Sequence, residues 1–146
     1  MLLPATRPDL SGPLPVWQKL SLILELSFSY VAIRLWLRTK PVAEVASLAR
    51  RPPSTSDRPL SEREGRYLAV KLAWVVHRTL NHLPGDTRCL TRSLVLLRIL
   101  ARRGIETKLV IGVRADEGFA AHAWVELAGV PLLDPTEFAA GRLVEI

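Results

Sequence analysis

The chain has 146 residues, 49% of them hydrophobic and 23% charged, with a formal net charge of +6. That is one domain's length, and the apolar fraction excludes a disordered chain. The single cysteine, Cys89, excludes an intramolecular disulfide and a cysteine-rich zinc site, and it fits a reducing, cytoplasmic setting.

The basic residues are mostly arginines, scattered from Arg50 to Arg103 with no long run of like charge. They read as a solvated surface, and nucleic acid is not an expected partner. The opening residues carry Pro4, Pro8, Pro13 and Pro15 and read as an extended lead-in, without the charged start of a signal peptide. Pro15 then suits an early helical position, and Leu20, Ile23, Leu24, Val31 and Leu35 recur at helical spacing as far as Arg38. Glu25 and Arg34 interrupt this stretch, so it reads as a buried or peripheral helix and no transmembrane segment is expected.

Lys40-Pro41 ends the first helix, and a short second one is expected from Val42 to Ala49. Residues 51–59 form a proline- and serine-rich linker. Residues 1–60 are therefore expected to be an N-terminal helical extension with its linker, and 61–146 the core. Ser61 with Glu64 makes a capping box for a third helix, whose apolar stripe should be Leu68, Leu72, Val75 and Thr79. His77 and His82 are five apart, so they do not share a helix face as a metal pair would. No residue pattern calls for a metal or a cofactor.

Pro84-Gly85-Asp86-Thr87 turns the chain into a fourth helix over 88–103, with Leu90, Leu94 and Leu97 on one face and Gly104 as its stop. The period then changes. Residues 108–113, 121–127 and 130–133 read as three strands, the last two joined at Gly129. Helices followed by an antiparallel sheet predict an α+β fold.

Three residues fall where chemistry is possible. Cys89 is expected in the first turn of a helix, where free N–H groups and the helix dipole favour a thiolate and can stabilise an oxyanion. His122 opens a strand and can take up and return a proton. If the last two strands pair around Ala128-Gly129, Asp134 comes near His122 and can fix its tautomer. Trp124 and Glu126 share the strand face of His122 and can shape a substrate site. Arg92 can anchor an acidic peptide from the nucleophile helix. Packing for Trp124, a solvated or paired carboxylate for Glu126 and an exposed charge for Arg92 are the plain alternatives.

The segments Arg88-Cys89-Leu90-Thr91-Arg92-Ser93-Leu94, Leu109 to Val113 and Ala121-His122-Ala123-Trp124-Val125-Glu126, with Gly129 and Asp134, resemble the transglutaminase-like leader peptidases of lasso peptide biosynthesis, the B2 proteins. The motifs cover roughly residues 84 to 135. The resemblance implies a papain-like core in which a nucleophile helix packs on a small antiparallel sheet. It implies Cys89 as nucleophile, His122 as base and acid, and Asp134 as the orienting residue.

It also implies a ribosomally made precursor peptide as substrate, cut between leader and core and passed to a separate lasso cyclase. A separate leader-recognition protein of the B1 type is the expected partner, since the first 80 residues read as helical and leave no room for such a domain. A transglutaminase-like acyl transferase and a non-catalytic peptide-binding scaffold are the competing readings.

Overall fold

Proline geometry sets the first two helices. In the computed structural model, which describes residues 15–51, 60–80, 88–114, 120–132 and 141–145, α1 spans Val16–Thr39. Pro15 is its N-cap rather than a helical residue, and its carbonyl accepts from the N–H groups of Gln18 and Lys19. Pro41 excludes the helical region for the residue before it. Lys40 is accordingly extended, at φ −132° and ψ 147°, and α2 (Val42–Ala49) starts afresh.

The capping box of α3 (Glu62–Leu80) forms as expected: Ser61 N–H donates to Glu64 Oε2 at 3.1 Å, and Glu64 N–H to Ser61 Oγ at 3.4 Å. Its buried stripe differs from the expected one. Gly65, Ala69, Leu72, Ala73, Val76 and Leu80 face inward, whereas Leu68 and Val75 lie at the margin and Thr79 is exposed. Small residues let α3 lie close against its neighbour, and a pattern weighted by side-chain size misses them.

Helix α4 (Arg88–Ala101) is central. Where one apolar face is expected, Thr91, Ser93 to Leu97, Ile99 and Leu100 are all buried. The reason is that α1, α2, α3 and the sheet all pack against it. Gly104, at φ +72°, ends it in a Schellman motif: Ile105 N–H reaches Leu100 O and Gly104 N–H reaches Ala101 O.

The strands are β1 (Lys108–Arg114), β2 (Ala120–Leu127), β3 (Val130–Pro131) and β4 (Gly141–Glu145), in the spatial order β3-β2-β1-β4 with antiparallel pairing throughout. Two features depart from expectation. The third strand is a two-residue stub, because the proline at 131 has no N–H to continue a ladder. β4 is an additional strand on the far edge of β1, with a register shift between Ile111 and Gly112. The fold is α+β, as the change of period predicts.

One hydrophobic cluster joins Leu26 and Ile33 of α1, Val45 and Ala49 of α2, Ala73 and Val76 of α3, the leucines of α4, and Leu109, Ala123 and Val125 of the sheet. Glu25 adds a polar tie from α1 to the end of α4, 3.2 Å from Arg102 Nε and 2.8 Å from Arg103 Nη2.

The hairpin between β2 and β3 places Ala128 at φ 51° and Gly129 at φ 80°, the two positive values of a type I′ turn. Alanine is strained there, and asparagine is the residue that tolerates it best. Ala128→Asn should therefore stabilise the protein by about 0.5–1 kcal/mol, read as a higher urea midpoint with an unchanged slope.

Candidate active site

Cys89 is the second residue of α4 and is half-buried against the core. A helix start there supplies unbonded N–H groups and the positive end of the dipole. His122 lies near the start of β2, paired across the ladder with Gly112, which has no side chain to compete for the same space. Its imidazole hydrogen-bonds the Cys89 thiol. Two residues 33 positions apart in the chain are thus brought into direct contact.

The docking of α4 on β2 makes that contact. Leu132 N–H donates to Val125 O at 3.0 Å, so Val125 turns its carbonyl toward the β3 edge, and Ala123, two residues back, turns the same way. At Ala123 this edge meets α4. Ser93 Oγ donates to Ala123 O at 2.9 Å, and Ala123 N–H bonds the Cys89 sulfur. Cys89 and Ser93 are four apart and share one face of α4. Together they engage both backbone groups of a single strand residue and hold the helix start beside His122. Sequence reasoning did not single out Ser93; its place in the Cys-Leu-x-Arg-Ser motif was the available signal.

These contacts hold the thiol below its usual range. The hydrogen bond from His122 is the largest cause, burial opposes it, and the Ala123 N–H, the charge of His122 and the Leu90 N–H assist. A thiol whose pKa is lowered by an adjacent imidazole is what cysteine-based acyl chemistry needs.

The surrounding candidates divide. The Trp124 ring stacks against His122, with centroids 6.0 Å apart and planes at 22°, and Trp124 Nε1 donates to Glu126 Oε1 at 2.9 Å. Trp124 is 7% exposed and Glu126 3%. The stack and the hydrogen bond thus run in series from His122 through Trp124 to Glu126. Arg92 Nη1 lies 3.1 Å from His77 Nδ1, which ties the start of α4 to the end of α3.

Because an arginine can only donate, His77 must accept through Nδ1. Burial, and then the charge of Arg92, push the His77 pKa down. Asp134, expected to orient His122, lies outside the described residues. Among the described residues no three His, Cys, Asp or Glu side chains form a group able to hold a metal.

A cysteine at a helix start facing a strand histidine defines a class. The family model of the transglutaminase-like superfamily matches residues 28–141, most of the chain, and the protein belongs to that superfamily. Within it, the chain is similar to the microcin J25-processing protein McjB of Escherichia coli, with 50% identity over 46 residues. That segment is 32% of this chain and 22% of McjB, so the match spans about a fifth of that relative's length. No solved structure matches the chain.

Proposed function

We propose that this protein is a cysteine peptidase that removes the leader from a ribosomally made lasso precursor peptide. The hydrogen bond between His122 and Cys89 at the start of α4 carries this reading. Membership of the superfamily and the likeness to a microcin-processing protein support it.

In the proposed reaction the Cys89 thiolate attacks the carbonyl at the leader–core junction. N–H groups at the start of α4 stabilise the oxyanion. Collapse breaks the peptide C–N bond, and the proton held on His122 goes to the leaving amine of the core. Water, deprotonated by His122, then hydrolyses the thioester and releases the leader as a carboxylate. Asp134 orients His122, and Trp124 with Glu126 braces the ring. Arg92, on the turn of α4 that follows Cys89, meets an acidic part of the leader in this reading.

The freed core amine is the nucleophile for macrolactam closure by a separate cyclase. The leader is presented by a separate recognition protein of the B1 type, and the whole sequence of steps takes place in the cytoplasm.

Mass spectrometry of a lasso precursor incubated with this protein and its recognition partner tests the reading. Wild type should give separate leader and core masses, and Cys89→Ala only intact precursor. Cleavage by both proteins would remove Cys89 from the mechanism. A product mass lacking the water of hydrolysis would identify acyl transfer to an amine instead. Intact precursor from wild type, with normal precursor binding, would identify a scaffold.

A further inference from the structure

Helix α1 leaves a long apolar face uncovered. Trp17, Leu20, Leu24, Phe28 and Val31 are each more than half exposed, as is Val16 at the first turn. At 1.5 Å per residue they extend about 22 Å along the helix. The residues that fix α1 to the body, Leu26, Ser29 and Ile33, lie on its other side. Isolated exposed apolar residues need no explanation, but a contiguous run of this size marks a surface that meets something. The residues from Val16 to Leu24 precede the region that the superfamily model matches, so the shared chemistry does not account for them.

Charge indicates what meets it. The outward side of α1 carries Arg34 and Arg38, both exposed. Its one acidic residue, Glu25, is engaged by Arg102 and Arg103 against the body. Arg34 and Arg38 continue the line of Leu20, Leu24 and Val31 at the C-terminal end of the helix. The face is thus an apolar length followed by a basic collar, without an exposed carboxylate. A second copy of the chain would bring like charges together, on a protein already at +6.

We propose that α1 docks this protein on the surface of an anionic lipid bilayer. Trp17, Leu20, Leu24 and Phe28 enter the boundary between headgroups and acyl chains, and Arg34 and Arg38 meet lipid phosphates. The helix is long and apolar enough to cross a membrane by composition, yet its buried side is committed to the core, so it lies on the bilayer. This inference is independent of the leader-peptidase reading.

Flotation of the full chain with vesicles tests it. The protein should float with phosphatidylcholine–phosphatidylglycerol vesicles and stay behind with phosphatidylcholine alone. The Arg34→Gln/Arg38→Gln variant should partition about 30-fold less, and Leu24→Asp/Phe28→Asp should not float. These side chains are exposed, so unfolding curves and the rate of Cys89 alkylation should match wild type in both variants.

Absence of wild-type flotation on anionic vesicles would overturn the proposal, as would equal flotation of all three proteins. Capture by the leader-recognition protein, lost in Leu24→Asp/Phe28→Asp while no vesicle binds, would assign the face to that partner and equally overturn it.

Discussion

His122→Ala should lower leader cleavage by about a thousandfold or more and move the pH dependence of Cys89 alkylation upward. The two effects share one cause. The hydrogen bond from His122 is the largest influence lowering the thiol pKa, and burial alone would raise it. In wild type the thiolate therefore persists at a pH below that of an ordinary cysteine, and the alkylation profile should begin to rise at a lower pH. Without the imidazole the largest lowering influence is gone and the midpoint rises.

Cleavage falls further than alkylation because the peptide reaction also needs a proton delivered to a poor leaving amine. An alkyl halide needs none. Nucleophile and base act as a unit, so Cys89→Ala/His122→Ala should lose no more than Cys89→Ala. The readouts are single-turnover cleavage and iodoacetamide kinetics across pH. A His122→Ala protein with an unchanged alkylation profile would show that the ring does not control the thiol. The urea midpoint separates this chemistry from a loss of fold, since the partly buried imidazole contributes little core area.

Leu94→Ala should cost about 3–5 kcal/mol, a large part of the roughly 5–15 kcal/mol that holds a domain folded. Leu94 is 0% exposed and sits mid-helix on α4, the element that all the other helices and the sheet pack against. Neighbours arriving from several elements cannot all move inward, so the cavity stays open and the cost falls toward the upper end of its range. Equilibrium urea unfolding should show a lower midpoint. Leu24→Ala, at a 70% exposed position on α1, should change it by less than about 0.5 kcal/mol. Equal losses at the two positions would contradict the central place of α4.

The elements themselves were legible in the sequence because their signals are local. Pro41 ends α1, Ser61 and Glu64 cap α3, Gly104 stops α4, and alternation over 120–127 makes a strand; each acts within a few residues of itself. The same alternation put His122, Trp124 and Glu126 on one face, where they now touch in series. A cysteine at a helix start and a histidine at a strand start could be named as candidates for the same reason.

What the sequence could not supply depends on chain segments meeting. The small residues of α3 matter only because α4 lies against them. The burial of α4 on nearly all sides depends on four packing partners at once. β4 is too short to declare itself without β1 beside it. Ser93 became visible as a positioning residue only when α4 met the open edge of β2 at Ala123.

The uncovered face of α1 is of the same kind. Periodicity marks its apolar residues, but only packing decides which of them the body leaves outside. By itself the sequence determined the local elements and the residue types able to do the chemistry, since φ/ψ preference and capping are short-range. The tertiary structure alone decided which side chains are buried, braced or facing outward, because burial is a property of neighbours far apart in the chain.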